Sequence, residues 1–214
     1  MSKPDKVVLD DKHFDSKARQ WDENPVFVDR ARRIADALRS MVPLSTSMSA
    51  LDYGSGSGLL SFPLKDELGH ITLSDTSAGM LEVVREKVAA QNVRNMTAIQ
   101  ADLSATALPD TRFDLIYSSM TLHHIPDTAA ILAAFHAHLN PGGWLGIADL
   151  DQEDGSFHGI EVDVHRGFDR DALANWTRRA GFKDVAFRTV FEIEKDKPEG
   201  KRTYPVFLMV ARKA

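Results

Sequence analysis

The 214-residue chain has no cysteine. That excludes disulfides, thiolate zinc sites and a cysteine nucleophile, and it fits a reducing compartment. No block of Lys or Arg stands out. The balance is acidic, 26 basic against 31 acidic residues, for a net charge of −5. Nucleic-acid binding needs a basic footprint, so no nucleic-acid partner is expected. No apolar run approaches the roughly 20 residues of a membrane helix. The opening "MSKPDKVVLDDKHFD" is charged and lacks an apolar core of signal-peptide length. A soluble, cytoplasmic protein without membrane association is therefore expected. What the chain does have is 43% hydrophobic residues, enough for one α/β domain. At this length folding buries roughly 70% of the surface an unfolded chain exposes, so a core forms without staples.

Hydrophobic periodicity orders the chain. Residues 25–41 carry Val28, Ala31, Ile34, Ala35 and Leu38 on one helical face, and Pro43 stops the helix. "MSALDYG" reads as a buried strand and "LLSFPLKDEL" as a helix. "HITLSDTS" is a second strand and "AGMLEVVREKVAAQN" an amphipathic helix. "MTAIQADLS" is a third strand, residues 113–117 a fourth, and "WLGIADLD" a fifth. A helix at "DTAAILAAFHAHLNPGG", ended by its Asn-Pro-Gly-Gly, separates the last two. Strands alternating with helices give a Rossmann-like, doubly wound, mostly parallel sheet. The tail differs. After the helix "DRDALANWTRRAGF", strands at "KDVAFRTVFEIEK" and "TYPVFLMVARKA" follow with no helix between them. A short connection favours an antiparallel pair. The α/β fold expected is a seven-stranded sheet with one antiparallel strand near the C-terminus. Residues 42–48, 151–170 and 195–203 read as loops.

In open α/β sheets ligands sit outside the carboxyl ends of the strands. The first strand ends in "LDYGSGSGLL", which places Gly54, Ser55, Gly56 and Gly58 beside Asp52. Glycine permits a tight turn and close ligand approach. Asp75 ends the second strand, 21 residues after Gly54, about where an acid reaches ribose hydroxyls in nucleotide sites. Asp102 ends the third and is placed to accept from an adenine amine. Ser118, Ser119, Met120, Thr121, His123 and His124 follow the fourth, and Asp149 and Asp151 the fifth. Singly, such an aspartate serves as a helix N-cap; in this order the set describes a nucleoside pocket. The dinucleotide fingerprint G-x-G-x-x-G/A fails at Leu59, and the P-loop pattern is absent.

"LDYGSGSG", "LSDTSAGML", "IQADLSATALP", "RFDLIYSSMTLHHIPD" and "LNPGGWLGIAD" together resemble the class I S-adenosylmethionine-dependent methyltransferases. The nearest group is the small-molecule type with ubiquinone-biosynthesis-like motifs, and the resemblance covers roughly residues 13 to 214. It implies a helical, cofactor-covering segment over residues 1–40 and a methyltransferase domain over 41–214. It implies S-adenosylmethionine as cofactor and S-adenosylhomocysteine as product. Gly54, Ser55, Gly56 and Gly58 then line the methionine part, with Asp52 near its amine. Asp75 holds the ribose, with Thr76 or Met80 beside the adenosine, and Asp102 and Leu103 meet the adenine. Ser118 and Ser119, with Met120 as a further candidate, lie near the sulfonium and methyl. Tyr53 stands where a small aliphatic residue is common.

Three further readings complete the expectation. Phe14 and Trp21 form either an aromatic lid over the cofactor or ordinary packing. His124 or His123 serves as a general base, since imidazole titrates near neutrality, or else one of them caps the next helix. Adjacent histidines are expected to point apart, and His136 and His138 lie two apart on a helix, so no metal is expected. The acceptor is expected to be a small molecule. A protein or nucleic-acid acceptor, or a non-catalytic cofactor-binding module, is the alternative. Nothing in the sequence fixes the oligomeric state.

Overall fold

The computed structural model describes residues 7, 10–103, 111–159, 161–198 and 200–214. Seven strands form one sheet in the order β3-β2-β1-β4-β5-β7-β6. These are β1 (Ser49–Tyr53), β2 (His70–Asp75), β3 (Met96–Gln100), β4 (Phe113–Ser119), β5 (Leu139–Leu150), β6 (Phe182–Lys197) and β7 (Gly200–Lys213). The four pairings from β3 through β5 are parallel, and β7 runs antiparallel to both β5 and β6. The expected single antiparallel strand is thus β7.

The strands read as continuous apolar runs because both faces are covered. Successive residues of one strand enter opposite cores, as side chains alternate. Val206, Leu208 and Val210 join one cluster with Ile34 and Leu38, while Phe207, Met209 and Ala211 join the other with Ile131 and Leu132. After the short α1 (Asp11–Asp15), the first cluster lies under α2 (Pro25–Met41), α3 (Ser61–Leu64) and α4 (Ala78–Ala90), the second under α5 (Thr128–His138) and α6 (Arg170–Arg179). α2 starts where the Asn24 side chain accepts from the Val26 amide at 3.0 Å with Pro25 at the first turn. Leu38 of α2 packs so closely on Gly146 of β5 that a Cβ there would lie 2.8 Å from it.

Three boundaries differ from the sequence expectation. α3 spans only Ser61–Leu64 of the predicted 59–68. Arg39 donates to the Pro63 carbonyl at 2.7 Å, and Asn95 donates to those of Lys65 and Leu68 at 2.7 and 3.0 Å. These side chains replace the helical ladder. Residues 195–203 are mainly hairpin, not loop: β6 continues to Lys197 and β7 begins at Gly200, paired with each other. The Asn-Pro-Gly-Gly stretch belongs to the irregular start of β5, whose register against β4 shifts between Phe113 and Leu115. The part of "IQADLSATALP" beyond Leu103 lies outside the described residues.

Candidate active site

A cavity of about 420 Å3 opens at the carboxyl ends of β1, β2, β3 and β4. Its floor is the turn after β1, where Gly54, Gly56 and Gly58 adopt φ of +67°, +52° and +81°. The Gly54 and Ser55 amides both donate to the Ser74 carbonyl, at 2.8 and 3.0 Å. The Gly56 amide donates to Asp75 Oδ2 at 2.8 Å, and the Ser77 amide to Asp75 Oδ1 at 2.9 Å. Asp75 therefore clamps the loop to β2 while facing the cavity. Burial pushes its carboxyl up, and the amides of Ser77 and Gly56 partly offset this. A carboxylate has about four acceptor sites, so these amides use only part of them. Asp102 lines the cavity after β3 and accepts from the Tyr53 hydroxyl at 2.8 Å.

Of the predicted residues, Trp21, Gly54, Ser55, Gly56, Asp75, Thr76, Met80, Asp102, Ser119 and His124 come together on the cavity wall. Five others stand behind it. Asp52 is buried; it accepts from Ser61 Oγ at 2.6 Å, and burial raises its carboxyl to about 7. Gly58 faces Leu73 and Phe62, and Leu103 joins the core. Ser118 donates to the Tyr53 carbonyl at 2.7 Å, tying β4 to β1. His123 is buried against Asp149. Alternation along β1 and β4 decides two of these cases: Asp52 and Ser118 each precede a lining residue and point into the sheet's packing.

The N-terminal segment packs onto α4 and contributes to the cavity wall. Asp11 accepts from Thr76 Oγ1 at 2.6 Å, and Asp15 accepts from Ser77 Oγ at 2.6 Å and from the Gly79 amide at 2.8 Å, at the start of α4. Lys87 of α4 donates to Asp22 at 2.6 Å and to the Ser57 carbonyl at 2.8 Å. The Ser57 hydroxyl also donates to Asp22. Phe14 and Trp21 both line the cavity, their rings 6.3 Å apart, with Phe27 4.8 Å beyond Trp21. Neither Phe14 nor Trp21 is among the buried core residues. Lys87→Met should loosen the N-terminal segment: amide exchange over residues 18–24 is expected to rise severalfold while β1 stays protected, and unchanged exchange over the segment would refute the clamp.

The histidines overturn one expectation. The 3-10 turn Leu122–His124 lays the His123 and His124 rings side by side, centroids 4.1 Å apart. His158 joins them, its Nε2 3.0 Å from His123 Nε2. His123 Nδ1 lies 2.7 Å from Asp149 Oδ1, and the His123 amide donates to Asp149 Oδ2 at 3.1 Å. Burial resists charge on Asp149, but His123 and the amides of Leu150 and His123 outweigh it and hold that carboxyl below its usual range. Burial, with neighbouring histidine charge, pushes His124 down to about 3 and His158 down to about 4. Among the described residues, this trio is the group able to hold a metal ion, with ligand atoms within 4.8 Å of one another.

Sequence reasoning missed Arg30, Phe27 and Asp11, all of which line the cavity. Arg30 had a signal: it lies four residues before Ile34 and eight before Leu38, on the apolar stripe of α2. Met120 also lines the cavity, with φ of +56°, a conformation uncommon outside glycine and concentrated at functional sites.

A family model described as a methyltransferase domain matches residues 27–186. This chain belongs to the class I S-adenosylmethionine-dependent methyltransferases. The methyltransferase is 32% identical over 160 residues to a ubiquinone biosynthesis O-methyltransferase of Xylella fastidiosa, covering 68% of this chain and 65% of that protein. It is 34% identical over 110 residues to an uncharacterized methyltransferase of Mycobacterium bovis, covering 51% and 54%. The chain spans about half the length of most of the curated relatives it matches. A SAM-dependent methyltransferase from Aquifex aeolicus has the same fold, with a TM-score of 0.69 at 17% identity over 96% of this chain and 99% of that one. No helix among the described residues is long and apolar enough to cross a membrane.

Proposed function

We propose that this methyltransferase moves a methyl group from S-adenosylmethionine to a small-molecule acceptor inside the covered cavity. One observation carries this reading: Asp75, Asp102 and the glycine turn line one cavity together with the aromatic rings of Phe14, Trp21 and Phe27. Two carboxylates suit hydroxyl and amine donors of a nucleoside, and an apolar lining excludes water from the reacting centre. The relatives named for ubiquinone and menaquinone precursors support a small acceptor.

The step is an in-line displacement. The acceptor's electron pair forms a bond to the methyl carbon, the carbon–sulfur bond breaks, and its pair returns to sulfur as neutral S-adenosylhomocysteine. An acceptor that carried a proton releases it. His124 is the imidazole on the cavity wall. With its pKa held near 3 it stays neutral at physiological pH and is a weak base. Its role in this reading is to orient the acceptor through a neutral ring, while positioning supplies most of the rate. A buried His123–Asp149 pair stands behind it.

Calorimetry tests the donor. The protein is expected to bind S-adenosylmethionine and not NAD; the reverse preference overturns the reading. Asp75→Ala is expected to weaken S-adenosylmethionine by about 1–3 kcal/mol, the loss for a buried hydrogen-bonding group left without its partner. An Asp75→Ala protein with native affinity would remove Asp75 from the site. Turnover of labelled donor against a panel of small phenols, amines and thiols, beside a protein extract, separates the acceptor classes.

A further inference from the structure

Two separate elements bring three imidazoles together. His123 and His124 sit on the 3-10 turn after β4, which the His124 amide closes by donating to the Thr121 carbonyl at 2.9 Å. His158 sits on a turn after β5. Glu153 fastens that turn by accepting from the Gly155 and Phe157 amides at 2.8 and 3.0 Å, and Lys195 of β6 donates to the Phe157 carbonyl at 2.7 Å. His158 Nε2 is thereby held 3.0 Å from His123 Nε2. Around a tetrahedral ion with nitrogen ligands at about 2.0–2.1 Å, neighbouring nitrogens lie roughly 3.3 Å apart. One nitrogen from each ring falls within 4.8 Å of the others. His124 closes the remaining distance by turning its ring. It is half-buried and, among the described residues, gives up no side-chain hydrogen bond to do so.

Asp149 is fixed behind the trio. It is fully buried, its Oδ1 meets His123 Nδ1 at 2.7 Å, and its Oδ2 accepts from the His123 amide at 3.1 Å. A carboxylate only accepts, so Nδ1 carries the hydrogen and Nε2 is the nitrogen left for a ligand. A carboxylate paired in this way orients a metal-bound histidine and raises its basicity. Asp149 favours a cation at the trio, while Arg30 and Lys195 oppose one. The carboxylate touches a ligand ring directly; the two cations act through space. Imidazoles without a thiolate suit zinc, cobalt, nickel or copper better than magnesium or calcium. His124 also stands on the cavity wall. We propose that His123, His124 and His158 form a three-imidazole site for a divalent transition ion, with zinc its expected occupant, Asp149 its positioning carboxylate, and a fourth coordination position open toward the cavity. An ion with three histidine ligands and one open place takes water or an anionic ligand there. The site does not rest on the donor or the acceptor proposed above, because an ion can be titrated without either.

The test uses the full chain, treated with a chelator and titrated at neutral pH with cobalt(II), then with zinc. One cobalt ion per chain is expected to bind and to give the intense visible bands of a four-coordinate ion, which zinc then removes. Azide added to the cobalt form is expected to shift those bands through the open position. His158→Gln and His124→Phe are each expected to weaken cobalt binding at least about tenfold and to abolish the bands. His136→Gln lies on α5, where the ring packs against Phe182, and is expected to bind cobalt as the wild type does. A cooperative melting transition of each metal-free variant reports that it is folded. If His158→Gln fails that check, His124→Phe decides, and if both fail, the wild-type spectrum decides. A wild-type protein that shows only the pale spectrum of six-coordinate cobalt overturns the proposal. So does native binding by both trio variants, or equal weakening by His136→Gln, the mark of scattered surface histidines. Bands that azide leaves unchanged overturn the open position. A chain that binds the ion but no adenosyl ligand keeps this site and sinks the proposed donor.

Discussion

Gly54→Ala is expected to destabilise the protein by about 2–5 kcal/mol, the sum of left-handed backbone strain and overpacking. At φ of +67° an alanine is strained before it touches anything. The added Cβ would then lie 2.3 Å from Thr121 Cγ2, 2.4 Å from Oγ1 and 2.8 Å from Thr121 Cβ. Rotating the threonine leaves its own Cβ in the way, so backbone has to move. The backbone in question is the junction of β1 and β4, which Thr121 Oγ1 closes by donating toward the Gly54 carbonyl at 3.2 Å. A urea-denaturation cycle with Thr121→Gly divides the two causes. In the Thr121→Gly background the clash is gone, and Gly54→Ala should cost only the backbone strain, about 1–2 kcal/mol. The coupling is then about 1–3 kcal/mol. Strictly additive effects would mean that the two residues do not meet.

The framework of the fold was legible because local and global signals agree. Strands buried on both faces read as apolar runs, helices between them carry a 3.6-residue stripe, and capping residues such as Asn24, Ser77, Asp127 and Asp169 mark helix starts. The acids at the ends of β2 and β3 were legible for the same reason, since topology alone brings those strand ends together. What escaped depends on distant side chains. α3 is short because Arg39 and Asn95 take its carbonyls, and neither residue belongs to the segment. The 195–203 stretch is rich in charge and carries a Pro and a Gly, yet its two sides pair as strands and Lys201 reaches Glu194 at 3.2 Å. Asp52 and Ser118 sit in the right motif but on the inner side of their strands, a matter of one residue in a period of two, and Gly58 turns toward Leu73 and Phe62. Arg30 was hidden by its neighbours: a helix stripe invites attention to apolar positions, and a charge within the stripe marks a cavity only once the cavity is known.

The histidine trio produces the second large effect, a dependence of stability on pH. An unfolded histidine takes up a proton near pH 6.5, whereas folded His124 does so only near 3. Between those values the unfolded chain holds more protons. Stability is therefore complete above about pH 6.5 and is lost as pH falls through the window toward 3. At pH 4.5, two units below the unfolded value, the loss through His124 is about 2–3 kcal/mol. His158, held at about 4, acts in the same direction, while Asp52, raised to about 7, acts in the opposite one and gains as pH falls. A difference between two proteins isolates the single ring. His124→Phe keeps an aromatic side chain against Phe14, whose ring meets His124 edge-on at 5.6 Å. Charges on His123, His158, His13 and Asp149 also act on this position, and all of them remain in the variant. Denaturation at pH 7.5 and 4.5 should show the wild type losing about 2–3 kcal/mol more than His124→Phe. Parallel losses would mean that His124 titrates as it does in water, and that the cavity wall it stands on is open to solvent rather than closed by Phe14 and Trp21.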